Sequence, residues 1–298
     1  MKDFWAEELQ NQRKGKLLKV AILIVILLII IAFAVLIVVY FQNTDFRKWC
    51  DENIIKKEIQ QENTKYIDID GDDNTKVYAY DKYICVYRKK VLEFYNRAGE
   101  KSGSIELSIN NPMFTTAGRY LAICEENGQK FYLITGKEKV FENEIEGNIK
   151  QINVSKNGYV SVVISNTSYK SIVDVFDGSG KEIFKTNLMS RVVDISISQD
   201  NKYLAIAEVD LSGIIIKSRI QIISIELAKT DSEKAIQYKY EATNNKLIMN
   251  IEYQEQNNLI CMYNDSVDIL QEQNNKEIES FKNKKISFMT VQLNNRIT

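Results

Sequence analysis

The sequence predicts an all-β protein: a β-propeller of four-stranded antiparallel blades, with five repeats and a partial sixth, preceded by one transmembrane α-helix. Three observations carry this. A phrase recurs, an apolar strand entered from a turn: Tyr83-Ile-Cys-Val, Tyr120-Leu-Ala-Ile, Tyr159-Val-Ser-Val, Tyr203-Leu-Ala-Ile and, more loosely, Asn258-Leu-Ile-Cys. The landmark residues stand 37, 39, 44 and 55 positions apart, and periods of about 40 to 50 residues mark small sheets that bury their faces only against neighbouring copies. Both faces of these strands are apolar or small, which a strand buried on both sides requires and a one-sided sheet does not.

In chain order, residues 1–19 form a polar tail. Residues 20–41, Val20 to Phe41, hold no charge and no strong polar group. At 1.5 Å per residue that helix is about 33 Å long, enough for a hydrocarbon core of roughly 30 Å. A cleaved signal peptide would have a shorter apolar run and a small-residue cleavage site, whereas this run ends in Tyr40-Phe41-Gln42-Asn43. An uncleaved anchor is expected, with the lipid bilayer as partner of residues 20–41. Lys2, Arg13, Lys14, Lys16 and Lys19 precede the span, against Arg47, Lys48, Lys56 and Lys57 after it. That excess places the N-terminus in the cytoplasm and the domain outside it.

Residues 42–65 read as a juxtamembrane stalk: Asp45 to Gln60 is polar and helix-compatible, without a sustained heptad. The propeller is expected over residues 66–298. Its clearest blade runs Ile149 to Val154, Tyr159 to Ile164, Ser171 to Phe176 and Glu182 to Thr186, with Asn, Asp and Gly in the hairpin turns. Position one after the landmark holds Ile84, Leu121, Val160, Leu204 and Leu259, and position two holds Cys85, Ala122, Ser161, Ala205 and Ile260. Ile286 to Asn294 and Arg296 to Thr298 resemble the opening of a sixth repeat. Either the sequence is a shortened copy of a longer protein, which is the expectation, or a strand at Tyr66 to Asp70 completes the last sheet.

Composition narrows the chemistry. Beyond Phe41 there are 34 basic and 37 acidic residues, interspersed, so no nucleic-acid footprint exists. The chain has no histidine, which removes Ser-His-Asp and Cys-His catalysis and His-bound metals. No nucleophile elbow, phosphate loop or dinucleotide fingerprint is present. Both tryptophans precede residue 51, outside the propeller. Cys50, Cys85, Cys124 and Cys261 lack a C-x-x-C spacing and read as buried free thiols.

Asp68-Ile-Asp-Gly-Asp-Asp-Asn74 is the one candidate calcium loop, and it fails. Counted from Asp68, Ala79 occupies position twelve; counted from Asp70, Thr75 stands where the turn glycine belongs. It reads as an acidic surface turn. Asp174 and Asp194 read as strand-edge or turn carboxylates. No residue is assigned a catalytic, cofactor-binding or metal-ligating role, and no cofactor is expected.

The single anchor with repeats such as Ile195-Ser-Ile-Ser-Gln-Asp-Asn-Lys-Tyr-Leu-Ala and Val173-Asp-Val-Phe-Asp-Gly-Ser-Gly-Lys resembles the membrane-anchored WD40-like or quinoprotein-like propellers of Gram-positive bacteria. Among these it is most similar to the group named domain of unknown function 5711. The resemblance covers nearly the whole chain; its motifs are structural, and it implies the fold while bringing no catalytic residues to carry over. The expected role is a binding or scaffold module in the cell envelope, with a protein or envelope ligand. The alternative is a propeller hydrolase using carboxylates, or a propeller joined to a catalytic domain beyond Thr298.

Overall fold

Residues 23–40, 46, 50, 66–67, 69, 75–231, 234–243, 246–271, 274–280, 291–292 and 296–297 are described in this computed structural model. Contacts divide the chain into two units, Met1–Asn63 and Thr64–Thr298. In the first, Leu23–Tyr40 is an 18-residue helix, long and apolar enough to cross a membrane, and its side chains are almost all exposed. Of the expected stalk, Phe46 and Cys50 are helical; the rest of it lies outside the described residues, as do Asp68, Asp70 and Asp72 to Asn74 of the acidic turn.

The second unit holds five four-stranded antiparallel sheets, each a simple meander. The first comprises β1 (Lys76–Tyr80), β2 (Tyr83–Arg88), β3 (Val91–Tyr95) and β4 (Lys101–Glu106). The second comprises β5 (Pro112–Ala117), β6 (Tyr120–Glu125), β7 (Lys130–Thr135) and β8 (Glu138–Glu144). The third comprises β9 (Asn148–Val154), β10 (Val160–Ser165), β11 (Ser171–Phe176) and β12 (Glu182–Leu188), within two residues of the strands read from sequence. The fourth comprises β13 (Arg191–Ile197), β14 (Tyr203–Asp210), β15 (Lys217–Ser224) and β16 (Ile236–Glu241), with a helical turn at Ile225–Ala228. The fifth comprises β17 (Ile248–Tyr253), β18 (Leu259–Tyr263), β19 (Ser266–Gln271) and β20 (Asn274–Ser280). A short pair, β21 (Val291–Gln292) and β22 (Arg296–Ile297), follows where the opening of a sixth repeat was read. Tyr66, Ile67 and Ile69 lie in no strand, so the described part of that segment does not complete the fifth sheet.

The core is a series of seams between consecutive sheets. Leu121 and Ile123 pack toward the first sheet, with Cys85, Tyr87 and Leu92. Ala122 and Cys124, on the opposite face of β6, pack toward Val160, Val162 and Ile164 of the third sheet. Leu204 and Ile206 face the third sheet, while Ala205 and Ala207 face the fifth, meeting Leu259 and Cys261. Large residues on one face therefore meet small residues on the next, which lets neighbouring sheets close to interior density. Burying each large aliphatic side chain contributes about 1.5–3 kcal/mol. Among the described residues, none of these seams joins the fifth sheet to the first.

The repeated tyrosine has a packing role: Tyr83, Tyr120, Tyr159 and Tyr203 each lie against the seam with the following sheet. The turn before it needs a left-handed residue, supplied by Asp81, Gly118, Gly158 and Asn201 at φ of 50°, 56°, 81° and 58°. At Gly158 a glycine is doubly required, because a Cβ there would stand 2.9 Å from the Tyr120 ring.

Buried polar groups occupy one equivalent position in every sheet. In the third strands, Glu93, Tyr132, Asp174, Gln221 and Asp268 pair in register with Val86, Ile123, Val162, Ile206 and Cys261, and all five are buried. Glu93 accepts from Arg88 at 2.9 Å and Lys101 at 2.6 Å. Gln221 and Arg219 donate to the buried Glu208 at 2.8 and 3.1 Å. Asp268 accepts from Ser266 at 2.9 Å and lies 3.4 Å from Lys246. Among the described residues, Asp174 is ion-paired with Lys185, at 3.0 Å and off a hydrogen-bond axis, and burial pushes its carboxyl up to about 7 against that cation. Asp174 is thus fully buried and central to its sheet, not a strand-edge carboxylate: the third strand is covered on both faces.

Because each sheet is an up-and-down meander, its connections segregate to two ends. First-to-second and third-to-fourth strand turns lie at one end, here the mouth end. Second-to-third turns and the links between sheets lie at the other, here the root end, where β1 also begins.

Candidate functional site at the mouth of the channel

The first strands of successive sheets, β5, β9, β13 and β17, pack beside one another as the inner strands. Their mouth ends enclose a cavity of about 250 Å³ lined by Thr115, Thr116, Asn153, Lys156, Asp194, Ser196, Gln199, Asn250 and Glu252 among others. The lining is polar because an inner strand has no strand partner on its channel side, so its backbone N–H groups need side-chain acceptors.

Asp194 and Ser196, two apart on β13, supply them. Asp194 Oδ2 accepts from the Ile251 N–H at 2.8 Å and from Asn250 Nδ2 at 2.6 Å. Its Oδ1 accepts from the Ile195 N–H at 2.9 Å and from the Gln151 amide. Ser196 Oγ accepts from the Tyr253 N–H at 3.0 Å. One carboxylate therefore ties together inner strands of the third, fourth and fifth sheets. Asp194 lies on β13, an edge strand of its sheet as read from sequence, but it is buried there, at 6% exposure, rather than open to solvent. Burial raises its pKa even against these donors.

Glu252 sits in the same cavity without a donor among the described residues. Burial, and then the charge of Asp194, push it up to about 7. Sequence reading found no carboxylate pair, and the structure brings these two together from sheets 58 positions apart in sequence. Only the alternation of Asn250 and Glu252 along an otherwise apolar strand hinted at it.

The surrounding turns are held by hydrogen bonds. Ser155 Oγ accepts from the Tyr159 N–H at 3.0 Å and Ser198 Oγ from the Tyr203 N–H at 2.9 Å, a device repeated at the landmark. Asn157 Nδ2 donates to the Gln199 carbonyl at 2.9 Å, and Lys156 Nζ to Gln199 Oε1 at 3.2 Å. Burial works against the charge of Asp200, and bonds from Asn257, Ser198 and Lys202 outweigh it, holding the carboxyl at about 2.

The four cysteines stand apart from this cavity, buried and free; burial pushes the Cys85 and Cys124 thiols up to about 12. Chemically, the mouth offers fixed acceptors and donors, one carboxyl whose pKa burial raises and one lysine. It has the equipment to bind a small polar group or a peptide segment, and Asp194, saturated by its donors, has no role left as a nucleophile.

A family described as a family of unknown function (DUF5711) matches residues 54–294. No curated protein matches. Among solved structures, Hsv2 of Kluyvelomyces marxianus is similar at 13% identity and a TM-score of 0.46, over 65% of this chain and 64% of that one. The Pan2 WD40 domain of Neurospora crassa is similar at 10% identity and a TM-score of 0.47, over 68% and 63%. The Dos1 propeller is similar at 11% identity and a TM-score of 0.49, over 74% and 73%. The chain spans less than two thirds of the first two.

Proposed function

The chain belongs to the family of unknown function DUF5711, and we propose that this protein is a single-pass, membrane-anchored propeller that binds an envelope ligand at the mouth of its channel. The helix Leu23–Tyr40 supports the anchoring, and the charge excess before it supports a propeller outside the cytoplasm. The observation that carries the binding role is the mouth cavity. Polar groups from four sheets converge there, already held by Asp194, Ser196 and their partners. Preorganised polar groups in a concave site lower the ordering penalty of binding. The hydrolase alternative is the weaker reading, since Asp194 is taken up by its donors and, among the described residues lining the cavity, no second donor-free carboxyl stands opposite Glu252.

Two measurements test this. With all native cysteines buried, a Lys181→Cys variant in intact cells should react with a membrane-impermeant maleimide; reaction only after lysis would place the propeller inside. A photo-crosslinking residue at Gln199, in the mouth cavity, should give an adduct in intact cells that one at Lys139 does not. Equal adducts at both positions would remove the mouth as the binding surface.

A further inference from the structure

From Lys76 onward, the large apolar side chains more than half exposed among the described residues are Met189, Ile214, Ile215 and Met249, at 70%, 105%, 58% and 58%. All four lie at the root end. Met189 is in the link from β12 to β13, Ile214 and Ile215 are in the β14–β15 turn, and Met249 opens β17. Single exposed apolar residues need no explanation, but the gathering of the most exposed ones at one end does, the nearest comparable side chain at the mouth end being Leu227 at 49%.

These segments are neighbours. Ser171 Oγ accepts from the Val192 N–H at 3.0 Å, joining the β10–β11 turn to the segment after Met189. Ser218 Oγ accepts from the Ile248 N–H at 3.0 Å, joining the base of the isoleucine turn to the start of β17 beside Met249. Arg191 pairs in register with Val209 near the end of β14, which sets the segment after Met189 beside the β14–β15 turn. Ile214, Ile215 and Ile216 follow one another at the tip, and Lys170, Arg191 and Lys217 are exposed around it. Lys217 pairs with Glu241 at 3.0 Å, so the rim carries both signs and the apolar tip is its distinguishing feature.

The root end is also where the chain from the membrane span arrives, because β1 starts there. Residues 41–75 connect Tyr40 to β1, a reach of at most about 125 Å. A surface tethered to a bilayer stays within that reach of it, which raises its local lipid concentration above that of an untethered domain and favours even weak insertion. We propose that the root end of the propeller rests on the bilayer its own span crosses, with the Ile214–Ile216 tip inserted at the headgroup boundary. This rests on the anchored reading above. Insertion is limited to that boundary, since the turn's backbone groups need water or headgroups as partners. The mouth is thereby turned away from the lipid.

The test uses the full chain reconstituted in liposomes. Ile214→Cys and, at the mouth end, Lys181→Cys are each labelled with an environment-sensitive dye, the native thiols being buried. The proposal expects the dye at 214 to shift to the blue and to be quenched by doxyl-labelled lipid, and the dye at 181 to do neither. If the chain co-floats with liposomes and the dye at 214 remains unquenched, the root end does not touch lipid and the anchored reading stands alone. If the chain fails to co-float, the anchoring is overturned, and the docking with it. A dye at 181 quenched as strongly as the one at 214 reverses the orientation.

Discussion

The two ends of the propeller are built from the same meanders and differ in how their surplus groups are satisfied. At the mouth, inner-strand N–H groups meet side-chain acceptors from the preceding sheet, as Ile251 and Tyr253 meet Asp194 and Ser196. At the root, comparable bonds from Ser171 and Ser218 fix the strand starts, yet Met189, Ile214, Ile215 and Met249 are left facing solvent. The inner-strand N–H groups of the mouth are satisfied by side chains, with Glu252 left without a donor among the described residues, while the root tip is apolar and exposed. A substitution at the mouth should therefore change stability, and one at the root tip should change only how the propeller meets the bilayer.

The largest effect should come from breaking what both ends share. Leu204, fully buried in the seam between third and fourth sheets, becomes an unpaired buried carboxylate in Leu204→Asp. That should destabilise the fold by about 5 kcal/mol or more and abolish a cooperative thermal transition. An unchanged Tm would mean the seam is misassigned.

Asp194→Ala comes next. It orphans the Ile251 N–H and the Asn250 and Gln151 amides, at about 2–4 kcal/mol by chemical denaturation. Asp194→Asn, which keeps acceptor capacity on one atom, should lose less. Equal losses would show that packing, not hydrogen bonding, sets the value of this residue.

Glu252 tests the electrostatics of the mouth. Its folded pKa of about 7 lies above the ordinary 4.5, so its stabilising contribution is complete below about pH 4.5 and disappears as pH rises through 7. Asp174, also raised to about 7, adds a slope of the same sign. Glu252→Gln should flatten part of that decline and raise stability at pH 8 by roughly 1 kcal/mol after allowing for solvent screening. A Tm–pH profile identical to that of the unmodified protein would remove the burial argument.

Asn201→Ala should cost about 1 kcal/mol, because its φ of 58° is left-handed. Smallest is Ile214→Ser: with a fully exposed side chain, it should change stability by less than about 0.5 kcal/mol. A larger loss would mean that the root tip has a packing role within the fold.

The seams were legible in the sequence because period and face both left marks. The landmark spacing located the sheets, and the apolar or small residues on both faces of β6, β10 and β14 predicted burial on both sides. The burial of the thiols follows the same seams: Cys85 and Cys124 point to the following sheet and Cys261 to the preceding one. The polar row was present but unread. In Leu-Glu93-Phe, Phe-Tyr132-Leu, Val-Asp174-Val, Ile-Gln221-Ile and Val-Asp268-Ile, one polar residue interrupts each third strand, and aligning the repeats on that strand would have shown it. Asp174 was misread because a carboxylate alone in a strand looks like an exposed one. Asp194 and Glu252 were illegible as a pair, since two residues on different inner strands meet only once the sheets are set side by side. The exposed root tip was equally hidden: Ile214-Ile-Ile216 reads in sequence as strand, and only its place in a turn exposes it.

Asp194 has a consequence for how the molecule comes apart. In a linear array of repeats, coupling is ordinarily restricted to adjacent units, and terminal units fray independently. Through one side chain, Asp194 holds Gln151 of the third sheet and Asn250 and Ile251 of the fifth, so its influence extends across three units. The third to fifth sheets should then open together as one cooperative block, with amide exchange slow and uniform across their inner strands. The first sheet, outside this linkage, should exchange earlier and set the lower limit of protection.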